Sequence, residues 1–117
     1  MLFHSNLDKN QKYIDGGPGA CTDGSTVSLP AMYLESGVYL DCESACDSIY
    51  GCIAFDVLKN QMCNLRFASN DDLNASPIPQ NFRKWPHGCK NSCQSNYVGS
   101  GGVKGRCWIK ARGNLVL

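Results

Sequence analysis

Apolar residues in this chain gather into short runs, and the period of each run predicts its element. The sharpest pattern lies between residues 42 and 65. Cys42 and Cys46 are four apart, so on a helix they share one face, with Ala45 and Ile49 beside them. Asp41 is placed to cap that helix, Glu43 and Asp47 add acidic charge, and Gly51 stops it. Cys52 to Val57 is short, apolar and partly β-branched, which reads as a strand. Lys59-Asn60-Gln61 is a turn, and Met62 to Phe67 is the returning strand. The unit is a helix followed by a β-hairpin, with cysteines placed to staple one to the other.

The flanks are less regular. Residues 1–20 are mostly polar and carry no cysteine; they read as an N-terminal arm outside the stapled core, ending in the linker Asp15-Gly16-Gly17-Pro18-Gly19-Ala20. Val27 to Leu34 is a weak strand interrupted by Pro30, expected at an edge or as an irregular extension. Residues 68–79 form a polar loop that contains the sequon Asn74-Ala75-Ser76, a glycosylation acceptor followed directly by Pro77. Asn81-Phe82-Arg83-Lys84-Trp85 alternates apolar and basic residues and reads as a strand, as does Arg106 to Arg112. Between them, residues 86–104 hold Cys89, Cys93 and a glycine-rich run, Val98 to Gly105, that lacks the spacing and the Lys-Ser/Thr ending of a phosphate loop and reads as a flexible loop. Leu115-Val116-Leu117 is an apolar C-terminal tail within residues 113–117.

Composition narrows the class. A chain of 117 residues is one domain with tails. Eight cysteines, an even number, in a chain rich in turn residues point to a disulfide framework in an oxidising compartment. The short gaps are C-x3-C twice, C-x5-C and C-x10-C, which match neither paired zinc knuckles nor a C-x-x-C redox motif. No metal or cofactor is therefore expected. A net charge of +1 gives no field for nucleic acid, and no apolar run is long enough to span a membrane. The first residues do not form a signal peptide, so a disulfide protein is expected here as a mature or partial chain, secreted to the extracellular side.

The pattern Cys42-x3-Cys46-x5-Cys52-Ile53-Ala54-Phe55 followed by Cys63-Asn64-Leu65 resembles the PAN/Apple superfamily. The resemblance covers about residues 21–112 and implies an α+β, disulfide-rich domain with one short helix packed on a mostly antiparallel β-sheet. It also implies two nested bridges, Cys42–Cys63 and Cys46–Cys52. The six-cysteine apple form adds a bridge between the ends, here Cys21–Cys107, and leaves Cys89 and Cys93 as a local pair on an inserted loop near residues 86–104. The long gap from Cys63 to Cys107 keeps Cys21–Cys93 and Cys21–Cys89 open as well.

The chemistry-bearing residues do not assemble into a catalytic motif. His4 lies in the arm, His87 sits in a loop, and Asp71-Asp72 reads as a solvated turn. No enzyme is expected. Members of the resembled superfamily bind proteins or carbohydrates, which implies a non-catalytic recognition or adhesion module. Arg83, Lys84, Trp85, Tyr97, Trp108, Lys110 and Arg112 are the candidate ligand-binding residues, against the plainer reading in which the tryptophans fill the core and the basic residues face water. The alternative is a structural subunit that self-assembles into an extracellular fibre or layer through its terminal arms.

Overall fold

A computed structural model describes residues 12–35, 39–59 and 61–111. Along the chain run β1 (Tyr13–Pro18), β2 (Cys21–Thr22), β3 (Ala31–Leu34), α1 (Tyr39–Ser48), β4 (Cys52–Leu58), β5 (Cys63–Phe67), α2 (Asn70–Ala75), β6 (Arg83–Trp85), β7 (Val98–Gly99) and β8 (Gly105–Lys110). Six strands form one sheet in the order β1-β8-β4-β5-β3-β6, and every neighbouring pair is antiparallel. β2 and β7 form a separate two-stranded ribbon. The domain is α+β, disulfide-rich and built on a mostly antiparallel sheet, with two helices among the described residues rather than the one expected.

A ten-residue helix is marginal in water, so α1 depends on what it packs against. Cys42 and Cys46 point from one face into the sheet. Cys42 is joined to Cys63 on β5, and Cys46 to Cys52 at the start of β4. Phe55, Leu65, Phe67, Met32 and Ile49 fill the core between them. The helix carries no basic residue in its last turn. Lys110 supplies that charge from β8: its Nζ donates to the carbonyls of Cys46 at 2.9 Å and Ile49 at 3.3 Å, where the helix dipole is negative. Asp41 lies in the first turn and not at the cap, because the helix begins at Tyr39, three residues earlier than a cap at Asp41 requires.

The opposite face of the sheet carries a second core. A β-bulge between Cys52 and Ala54 places both Ile53 and Ala54 there, with Leu29, Cys21 and Cys107. Cys21–Cys107 closes this side, and Cys89–Cys93 forms a local clip at its margin. Cys21 is thus joined to Cys107, not to Cys89 or Cys93. With no free cysteine among the described residues, the four bridges fit an oxidising environment.

Four sequence expectations need correction. The sheet begins at Tyr13, not at Cys21: β1 pairs with β8, the Tyr13 hydroxyl donates to Asp47 Oδ1 at 2.7 Å, and its ring meets Phe55 edge-on at 4.9 Å. The glycines and Pro18 that read as a linker lie at an irregularity in that pairing. The loop at 68–79 contains α2, whose Ser69 hydroxyl accepts from the Asp72 N–H and whose Leu73 is buried. β3 is interior, between β5 and β6, because Pro30 falls just before the paired residues and removes no ladder donor. The glycine-rich run is not a free loop. Gly101 N donates to Pro18 O and Ser100 N to Ala20 O, both at 2.8 Å; Gly19, at φ +96°, sits so close that a Cβ there would lie 2.2 Å from Ser100 Oγ. Residues 1–11 of the predicted arm, with His4, and Arg112 with the tail at 115–117 lie outside the described residues.

Two outcomes follow in denaturant. Chain entropy makes Cys21–Cys107, separated by 86 residues, worth about 4–5 kcal/mol and Cys89–Cys93, separated by 4, about 2 kcal/mol. Replacing each pair by serines and comparing unfolding midpoints will show the larger loss for the first. Tyr13→Ala will lower stability by about 3 kcal/mol, as for a core aromatic, whereas a residue in a loose arm would shift it by less than about 0.5 kcal/mol.

Candidate functional site: a groove on the second face of the sheet

Strand alternation sets two rows of side chains on the face opposite α1. One row runs Arg83, Tyr33, Asn64, Asp56 across β6, β3, β5 and β4. The next runs Trp85, Ala31, Arg66, Ala54. Asp56 is fully buried, which requires that its charge be met on all sides. Its Oδ2 accepts from Arg66 Nε at 2.8 Å and from the Cys21 N–H at 2.9 Å, and its Oδ1 accepts from Asn64 Nδ2 at 2.7 Å. Arg66, 5% exposed, also donates through Nη1 to the Leu29 carbonyl at 2.6 Å. Ala31 is small and buried between Arg66 and Trp85, so the guanidinium reaches the indole, 5.8 Å from the ring centroid.

The ribbon and residues 21–29 cover this face over β4 and β8 and reach the Arg66 guanidinium through the Leu29 carbonyl, leaving an opening beside Tyr33 and Trp85. The opening is a groove of about 440 Å³. Tyr33 and Trp85 form its aromatic sides, and Asn64 and Arg66 its polar floor. Leu58 and Met62 give it an apolar end, while Ser28 and the exposed Glu35 add polar groups at the margin. A smaller recess next to it shares Tyr33 and Glu35 and reaches Arg83.

The predicted ligand-binding residues do not share one surface. Trp85 lines the groove and Arg83 lies beside it. Lys84 points to the other face, where its Nζ donates to Asn74 Oδ1 at 3.1 Å. Trp108 packs against the core under α1, and Lys110 serves the end of that helix, so both have structural work. Tyr97 packs at the margin of the second core and lines a separate recess with Tyr50 and Asp72. Arg112 lies outside the described residues. Asn74, the sequon residue, is exposed but stands on α2 and not on a loop. His87 meets Trp85 edge-on at 5.2 Å. Among the described residues no group of three or more His, Cys, Asp or Glu could hold a metal ion, and no helix is long and apolar enough to cross a membrane.

Sequence reasoning missed Tyr33, Asn64 and Arg66. The signal was present: Asp56, Asn64 and Arg66 are polar residues at alternate positions in strands that are otherwise apolar. Alternation puts the three on one face; that this face is buried depends on residues 21–29, far away in the chain.

Asp56→Ala leaves Arg66, Asn64 and the Cys21 N–H without their acceptor, and is expected to cost about 3–5 kcal/mol in urea unfolding; a loss below about 1 kcal/mol would mean the network is not what holds the second face. Compared with family models, curated proteins and solved structures, the chain matches none.

Proposed function

We propose that this chain is a secreted, non-catalytic recognition module of PAN/Apple-like character that binds its ligand in the groove over β5, β3 and β6. One observation carries the reading: two aromatic side chains, Tyr33 and Trp85, flank a floor of fixed polar groups, Asn64 and Arg66. Aromatic faces take up the apolar side of a ligand, and convergent donors and acceptors fix its orientation. Between the two ligand classes that the family resemblance implies, this favours a saccharide, whose rings offer an apolar face and a hydroxyl-bearing edge. Arg66 is already neutralised by Asp56, so the floor offers hydrogen bonds without a strong net charge. The four disulfides support an extracellular setting.

Self-assembly through the terminal arms has less behind it. The terminal segments it would use are largely outside the described residues, and both described sheet edges are blunted. β6 is three residues long, carries Arg83 and Lys84 and runs into Pro86; β1 is broken by a register shift and ends at Pro18.

Screening the intact chain on a glycan array, with Trp85→Ala and Lys84→Ala alongside, tests the proposal. Saccharide binding should fall about tenfold or more in Trp85→Ala, equivalent to about 1.4 kcal/mol, and stay unchanged in Lys84→Ala, which faces the other side. Binding that is absent, or indifferent to Trp85, overturns the saccharide reading.

A further inference from the structure

Three of the four disulfides are sealed: Cys21, Cys107, Cys42, Cys63, Cys46 and Cys52 are all 0% exposed. Cys89 and Cys93 are half-buried at the margin of the second core, so this bridge alone is open to a reductant. It closes a separation of only four residues, and its loop has other anchors. Asn70 N donates to Lys90 O at 3.1 Å, Asp71 N to Asn91 Oδ1 at 3.0 Å, and Gln94 N to Asp23 Oδ2 at 3.1 Å. Asp23 is itself held as a carboxylate, its pKa lowered first by the Ser25 hydroxyl and then by backbone N–H groups including that of Gln94. The fold therefore does not hang on this bridge.

What the bridge does constrain is the wall of the groove. Cys89 N donates to Ser28 O at 3.0 Å. Gly88, at φ +73°, fits so closely that a Cβ there would lie 2.0 Å from Ser28 O and 3.4 Å from the Trp85 ring. Ser28 and Trp85 both line the groove. The clip thus fixes the segment that ties one lining residue to the other.

We propose that Cys89–Cys93 is a reductively opened clip that regulates the groove: a dithiol reductant opens it while the other three bridges stay closed, and opening loosens the wall that carries Trp85. A thiolate of the dithiol attacks one sulfur of the pair, the S–S bond breaks, and the other cysteine leaves as a thiolate. The second thiol of the reductant then displaces the protein from the mixed disulfide. Two cysteine thiols and one oxidised, cyclic reductant result, with two electrons and two protons passed to the protein. The effect on a ligand rests on the groove being the binding site; the opening and its effect on the wall do not.

The test treats the full chain with rising dithiothreitol under native conditions, then alkylates and maps the labelled cysteines. Indole N–H signals of Trp85 and Trp108 are followed in the reduced chain and in a Cys89→Ser, Cys93→Ser double variant. Label should appear on Cys89 and Cys93 first, with circular dichroism unchanged, and the Trp85 signal should shift while that of Trp108 stays. Label appearing elsewhere at the same reductant concentration, or a Trp85 signal unmoved in both samples, overturns the clip. Saccharide binding that is present but unaffected by opening overturns its regulatory role. If no saccharide binds while the labelling and the indole shift occur as expected, the recognition reading falls and the clip on the Trp85 wall stands.

Discussion

A single buried carboxylate governs the second half of this structure. Asp56 has no contact with solvent, so the fold must bring it donors from elsewhere in the chain. Two come from the neighbouring strand, Asn64 and Arg66; a third is the backbone N–H of Cys21, 35 residues away. That last bond has a covalent sequel. Asp56 is paired in register with Cys107, so seating the Cys21 N–H on its carboxylate sets Cys21 beside its disulfide partner. The same carboxylate holds Arg66 extended across Ala31 toward Trp85. Bridge and groove are thus two results of satisfying one charge.

The two faces of the sheet divide the work. Under α1 the core is closed by two disulfides, aromatic packing and the Lys110 contact with the helix end. The other face is covered by backbone instead of by a helix. A ribbon of two short strands and two glycine-bearing segments lie close over β4 and β8, and residues 21–29 carry the cover as far as Arg66 on β5. The groove exists because that cover is partial, and its polar floor is tolerated because each buried charge there already has a partner.

Much of the helix-side architecture was legible in the sequence. The four-residue spacing of Cys42 and Cys46 and the apolar runs on either side of Lys59 are local patterns, and local patterns survive into the fold. What the sequence hid depends on distant partners. Tyr13 looks like part of a polar arm until Asp47 and Phe55 are seen beside it. Asp56, Asn64 and Arg66 look like a solvated edge until residues 21–29 fold over them. Trp85 and Trp108 look equivalent by alternation, yet their strands stand at different places in the sheet and their rings lie on opposite faces. α2 was readable in principle, since Ser69 followed three residues later by Asp72 is a helix-start signal, but a polar segment of such length reads more easily as a loop.

The register of β1 and β8 has a mechanical consequence. Tyr13 stands opposite Lys110, so the two ends of the described sheet leave it side by side. Tension entering at these ends loads the pair as a zipper, one rung at a time, and the rungs run perpendicular to the strands. Peeling can proceed only through Tyr13–Pro18 on one side and residues 108–110 on the other before the pull reaches Cys21–Cys107. From there force crosses covalently and bypasses everything between those cysteines. A short, yielding lead thus precedes an inextensible stop, and the groove is left unstrained beyond it.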